Sequence, residues 1–166
     1  MGLVDVLDYL PPKHKGRSEL IAILNRLSKA VVRYQDKNEG VWWLITDKRD
    51  QPKNYLESSS SAMFVYGLAK AIRKGYINKT YVIAVEKGYK GLINRFIVKD
   101  SLGHIHYTQA ISGAGLGGNP YRDGSYEYYV NEPKRDDDLK AIGPFIQACI
   151  EYNTLVEEGI IRNNRQ

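Results

Sequence analysis

Two amphipathic stripes of helical period meet at Gly75-Tyr76-Ile77-Asn78, and that junction constrains the fold more than any other feature of the chain. Leu56 to Ile77 places Ala62, Val65, Leu68, Ala69, Ile72 and Tyr76 on one side, and Tyr81 to Val98 does the same with Val82, Val85, Tyr89, Leu92, Ile93 and Phe96. Helices joined by so short a link lie side by side and antiparallel. The chain must therefore be built on helical hairpins, each needing a neighbour for its apolar face.

Further segments extend the pattern. Arg17 to Tyr34 is predicted helical, with Ser18 as N-cap and Leu20, Leu24, Leu27, Val31 and Tyr34 as its core stripe. Leu139 to Glu158 is predicted helical with Ile142, Ile146, Cys149, Ile150 and Val156 inward, and the tail IIRNNRQ is expected to fray. Leu3, Val6, Leu7 and Leu10 share one face of a first short helix, which Pro11-Pro12 ends. No capping residue precedes that helix, so the chain is expected to start inside a longer one. Asp5 and Asp8 interrupt the apolar stretch, so these residues are not expected to be a signal peptide.

Val41 to Thr46 (VWWLIT) and His104 to Ile111 are predicted extended, whereas Ser112 to Asp137 is a long Gly-, Tyr- and Asn-rich loop. An internal echo organises these pieces: helix, then Asp36-x-x-x-Gly40 and a strand; helix pair, then Asp100-x-x-Gly103 and a strand. Stacked helical hairpins produce such repeats. The expected fold class is all-α, antiparallel helical hairpins with short strands at one end. At 166 residues the chain is expected to form a single domain, 1–166.

Composition narrows the partners. Lys and Arg number 24 against 19 Asp and Glu, a net +5. They are spread along the chain, and the run Lys134 to Lys140 holds three consecutive aspartates, so no nucleic-acid partner is expected. No apolar run approaches the ~20 residues that span a bilayer, so no membrane association is expected, and the location is expected to be cytoplasmic. One cysteine, Cys149, excludes an internal disulfide and a multi-cysteine zinc site.

Several motifs carry possible chemistry. Gly113-Ala114-Gly115-Leu116-Gly117-Gly118 has the spacing of a dinucleotide loop, but Asn119-Pro120 follows where a helix should start, so no nucleotide cofactor is expected. His104 and His106 fall on one side of a strand. Two ligands without a third make exposed histidines the better reading, and no metal is expected. The loop from Pro120 to Tyr129 holds Tyr121, Tyr126, Tyr128 and Tyr129 with Arg122, Asp123 and Glu127. Aromatic faces suit sugar rings and an arginine suits a carboxylate; equally, such tyrosines can cover helix ends. The residues by themselves leave both readings open.

Three strings carry a resemblance: NYLESSSSAMFVYGLAKAIRKGYI, GLGGNPYRDGSYEYYVNEP and DDLKAIGPFIQACIE. Together they resemble the C-terminal half of glycoside hydrolase family 105, the unsaturated rhamnogalacturonyl hydrolases of pectin degradation, related to family 88. The likeness runs from Met1 to about Glu158. It implies part of an (α/α)6 barrel, the six-hairpin glycosidase toroid. It also implies a substrate with a C4=C5 double bond in a terminal uronyl sugar. An aspartate protonates the enol ether and activates the water that adds across it, and the hemiketal then opens and expels the neighbouring sugar.

In the family that aspartate lies in the N-terminal half, as do a substrate-holding arginine and tryptophan, so no catalytic residue carries over to this chain. Tyr121, Arg122, Tyr126 and Tyr128 match a loop near the barrel mouth and are expected to bind substrate. Glu57 and Ser58 to Ser61 match a helix start near the barrel axis, and Asp123 and Glu127 are expected to hold the loop through backbone amides. The expected function is thus a glycosidase portion inactive by itself. The alternative is a non-catalytic helical-hairpin module that binds a protein or sugar partner. Part of a barrel leaves apolar faces open at its ends, so a homodimer or higher oligomer is expected.

Overall fold

The computed structural model describes residues 1–162. Its helices are α1 (Gly2–Tyr9), α2 (Arg17–Arg33), α3 (Ser58–Arg73), α4 (Val82–Phe96), α5 (Tyr126–Asn131) and α6 (Leu139–Glu157). Four short strands lie between them: β1 (Ile97–Lys99), β2 (Ile105–Tyr107), β3 (Ala110–Ile111) and β4 (Lys134–Arg135).

Helix α3 is the hub, with 11 of its 16 residues buried. Its start lies by Tyr107, whose hydroxyl donates to the Ser58 carbonyl and whose ring stacks on Phe145 early in α6. Its end is tied by Arg73, which donates to both carboxylate oxygens of Glu151 further along α6, each at 2.8 Å. The two helices therefore run in the same direction. Helix α4 returns antiparallel to α3 after Gly75, which takes φ 70°. Helix α1 docks on α3 through Lys70, which is 2.6 Å from Asp5 and 2.8 Å from Asp8. Arg17 caps the open end of α1, donating to the carbonyls of Leu7 and Leu10. The two aspartates that break the apolar stretch of α1 are thus its anchor to α3.

The inward face of α6 differs from the expectation. Ala141, Ala148 and Leu155 are fully buried at seven-residue spacing, while Ile146 and Ile150 are 52% and 58% exposed. The α3–α6 contact is the most extensive between elements, and the facing stretch of α3 also buries two alanines seven apart, Ala62 and Ala69. Small side chains let two helices approach closely, so they occupy the seam and the larger isoleucines turn outward. A similar correction applies to α2 and α1. Leu24 and Ser28 are buried while Leu27 and Tyr34 are exposed, and in α1 Val4 and Leu7 are buried while Val6 is exposed. Ser18 is not the cap of α2, whose first turn follows Gly16.

The VWWLIT stretch contributes only an isolated bridge, Trp43 to Leu56, because its side chains are drawn inward instead. Trp42 is wholly buried, with its Nε1 donating to the Val31 carbonyl, and Trp43 Nε1 donates to Asp36. Strands β1 and β2 pair antiparallel with Val98 opposite His106, and β3 and β4 pair with Ala110 opposite Arg135. The tail docks as far as Ile161: Gly159 turns at φ 69°, and the N–H groups of Ile160 and Ile161 both reach the Leu155 carbonyl. The remainder of the tail, 163–166, lies outside the described residues.

The sequence echo has a geometric counterpart. Asp36 Oδ1 accepts from the N–H of Asn38 and Glu39, and Asp100 Oδ1 accepts from Leu102 and His104, with Gly40 and Gly103 at positive φ in each turn. The first turn presses against α4, where a Cβ on Gly91 would meet the Glu39 carbonyl oxygen at 2.2 Å. Gly91→Ala is therefore expected to destabilise the fold by roughly 1–3 kcal/mol, the usual range for overpacking. Chemical denaturation is the check, and an unchanged midpoint would show that α4 can shift away from the turn freely.

Candidate functional site

Both α3 and α6 begin at the same end of the bundle, and the long connections 34–57 and 97–138 gather there. Glu57 organises that end. Its carboxylate accepts from the N–H and hydroxyl of Ser59 (3.0 and 2.7 Å), the N–H and hydroxyl of Ser60 (2.7 and 2.6 Å), and the N–H of Ile111 (3.0 Å). Five donors around one buried carboxylate cap α3 and hold β3 across it. The hydrogen-bonding capacity of this carboxylate is spent on the fold, and its work is architectural.

A stem closes the base of the connection that precedes α6. β3 pairs with β4, the Ser112 N–H donates to the Pro133 carbonyl, and the Gln109 N–H donates to Asp136. Below it, Asp137 accepts from the Tyr107 N–H at 2.9 Å and pairs with His106 Nδ1 at 2.6 Å, while its own N–H donates to the Tyr107 carbonyl. The second histidine, His104, lies 3.0 Å from Asp100. Both histidines thus have aspartate partners, and among the described residues no group of three His, Cys, Asp or Glu side chains is placed to hold a metal.

Above the stem, residues 113–132 form the tyrosine-rich excursion. Gly117 and Arg122 exchange both backbone hydrogen bonds, and Arg122 Nε donates to the Gly117 carbonyl at 2.9 Å. The guanidinium lies where a Cβ on Gly115 or Gly118 would stand, each within 2.9 Å, so the glycine cluster exists to seat the arginine. Asp123 accepts from the Ser125 N–H, and Ser125 caps α5 through the Tyr128 N–H. This six-residue helix was not expected from the sequence. Two contacts fasten it to the 47–54 loop: the Tyr126 hydroxyl donates to the Pro52 carbonyl, and Lys53 donates to Asn131.

Between the 121–125 turn and α5 lies an open cleft of about 610 Å³. Tyr121, Asp123, Ser125, Glu127, Tyr128 and Glu132 line it. Tyr121 is 75% exposed. A hydrogen bond with Glu132 holds the Tyr128 phenol above its ordinary pKa. Of the four residues expected to bind substrate, Tyr121 and Tyr128 stand in the wall, while Arg122 and Tyr126 fasten that wall in place. Asp123 holds the loop through a backbone amide as expected; the Glu127 side chain lines the cleft instead. Glu132 was not singled out by sequence, and its one signal is its place beside Pro133 at the end of the tyrosine run.

The profile of Glycosyl Hydrolase Family 88 matches residues 1–156. The chain belongs to that family. A solved family 105 glycoside hydrolase from C. acetobutylicum ATCC 824 is 42% identical and superposes with a TM-score of 0.90, covering 93% of this chain and 43% of that one. A family 88 glycosyl hydrolase from Bacteroides vulgatus is 26% identical with a TM-score of 0.62, covering 90% and 39%. Protein Atu3128 of Agrobacterium fabrum is 34% identical over 157 residues, which are 91% of this chain and 66% of the relative. The chain thus spans less than two thirds of that curated relative and less than half of the solved hydrolases. Its fold is all-α, part of the six-hairpin α/α toroid of this family, with α3 and α6 as same-direction helices and α4 antiparallel to α3.

The Asp137–His106 clamp makes the stem sensitive to pH. Hydrogen bonding to Asp137, then to Asp100, raises the His106 pKa, and the same pair holds Asp137 below the usual carboxylate range. A raised histidine stabilises fully below its unfolded pKa of about 6.5 and loses that contribution as pH rises through the folded value. A depressed aspartate loses its contribution as pH falls through its own folded value, below about 3.9. Thermal stability should therefore decline from pH 6 toward pH 8 in the native chain, and this decline should flatten in His106→Gln. Parallel slopes in the two proteins would remove the clamp from the account.

Proposed function

We propose that this chain is the C-terminal half of a hydrolase of unsaturated uronyl oligosaccharides of the rhamnogalacturonan type, with the tyrosine cleft as part of its substrate-binding surface. The observation that carries the reading is the family match over nearly the whole chain together with a cleft of exposed tyrosine and carboxylate groups at the helix-start end. Tyr121 and Tyr128 offer ring faces and hydroxyls to a sugar, and Glu127 and Glu132 accept from sugar hydroxyls. Arg122 and Tyr126 serve the same binding by fixing the turn and α5. The reaction is hydration of the C4=C5 double bond, its aspartate supplied by sequence outside this chain.

The isolated chain is expected to show no measurable loss of absorbance from an unsaturated rhamnogalacturonan disaccharide. A missing general acid and base alone removes roughly 10²–10⁴-fold. Robust turnover by a chain of verified mass would overturn the division of labour and turn attention to Glu127 and Glu132. In a full-length relative carrying this loop, Tyr121→Ala should raise KM with little change in kcat, the signature of a group that binds ground and transition states equally. Complete absence of sugar binding and turnover effects would favour the second reading, a non-catalytic module for a protein partner.

The outward faces of α2 and α6 bear on assembly. Leu27 is 48% exposed on one, and Ile146 and Ile150 stand out on the other. An apolar groove of about 180 Å³ runs between α1, α2 and α3, lined by Leu3, Leu27, Val31 and Phe64 among others. Soluble monomers rarely expose such surfaces contiguously. A second copy of the chain covers them about a two-fold axis. Light scattering on a dilute sample should give at least the dimer mass; a stable monomer at micromolar concentration would dismiss this arrangement.

A further inference from the structure

The fold brings together four cations that are far apart in sequence. Arg33 and Lys37 stand at the end of α2 and in the turn after it, and Lys87 and Lys90 on α4; all four are exposed. Two adjoining grooves, of about 260 and 280 Å³, run between these elements and share Lys37 and Lys87. The first is floored by Thr80, Ile83 and Ala84, the second by Gly91 and Asn94. Thr80 lies in the turn before α4, and Ile83, Ala84, Lys87, Gly91 and Asn94 succeed one another along a single stripe of that helix. From Ile83 to Asn94 the stripe is about 16 Å long at 1.5 Å per residue.

Charge in this groove is unbalanced. Among the described residues none of the four cations forms an ion pair. Two carboxylates share the lining, Asp36 and Glu39. Asp36 is buried and engaged by the N–H groups of Asn38 and Glu39, by Trp43 Nε1, and by Arg49 at 3.5 Å. In the lining that leaves Glu39 against the four; Glu86, one residue before Lys87 and four before Lys90 on α4, lies outside it. Clefts lined by one sign of charge concentrate ligands of the other sign.

We infer that this groove binds a linear acidic oligosaccharide of the uronate type, at a site that shares no residue with the tyrosine cleft. An extended chain with one carboxylate per ring matches a continuous groove with cations on both walls, Arg33 and Lys37 on one and Lys87 and Lys90 on the other, and Thr80, Asn38 and Asn94 supply partners for its hydroxyls. Single-stranded nucleic acid is the less suited polyanion, since Tyr81 is the one aromatic in the lining and base stacking needs a series of them. The inference does not depend on hydrolysis by this chain.

The test is a titration of the isotopically labelled chain with hexameric α-1,4-galacturonate and with its fully methyl-esterified, neutral form, followed by amide chemical shifts. Shifts at residues 33–40 and 80–94 are expected with the acidic form alone, with affinity falling at least about tenfold between roughly 20 and 300 mM salt. Lys87→Gln/Lys90→Gln should weaken binding at least tenfold with the thermal midpoint unchanged; Arg33→Gln/Lys37→Gln is the second variant should the first fail to fold. Equal binding of the neutral form, shifts confined to 121–132, tighter binding of short single-stranded DNA, or no response at millimolar ligand would each overturn it.

Discussion

The close approach of α3 and α6 is the contact on which the remaining structure depends. A helix buried on nearly every side must meet several neighbours at once, and only small residues leave room for them. Ala62, Ala69, Ala141 and Ala148 supply that room. Ser58, Ser59 and Ser61 continue the economy of volume to the helix start, where they are also buried. Once the two helices run together, their beginnings share one end of the bundle, and every long connection is delivered to that end. The position of the tyrosine cleft is a consequence of alanine spacing some distance below it.

Much of this was legible in the sequence, and the part that was not has a physical cause. The hairpin of α3 and α4 followed from its apolar periodicity and the Gly75 turn, and the Asp36 and Asp100 turns followed from their repeated spacing to glycine. The inward face of α6 did not. Periodicity favours the stripe with the largest apolar side chains, here Ile142, Ile146 and Ile150, whereas helix packing selected the stripe with the smallest. Pattern reports where apolar surface lies but not which of two apolar stripes a close neighbour will accept. Helix α5 escaped notice for another reason: six residues cannot sustain a helix by propensity, and the Ser125 cap together with tertiary bonds from Pro52 and Lys53 holds it.

The site residues divide along the same line. Sequence pointed to the loop that forms the cleft, because tyrosines, an arginine and glycines crowd into it. It did not separate groups that face the cleft from groups that shape it. Arg122 has the chemistry of a carboxylate ligand, yet its Nε is committed to the Gly117 carbonyl and its plane lies along two glycines. Geometry alone makes that distinction, since side chains with identical chemistry differ by where their hydrogen bonds have already gone. The gathering of Arg33, Lys37, Lys87 and Lys90 is invisible in sequence for a related reason: charges spread along a chain say nothing of the face that folding gives them.

The stem beneath the excursion separates change above it from the packing below it. Ser112, Pro133, Asp136 and Asp137 seal residues 113–132 off from the helices, so this stretch behaves as an exchangeable cassette on a fixed socket. Insertions or replacements above the socket leave the alanine seam and the capped start of α3 undisturbed.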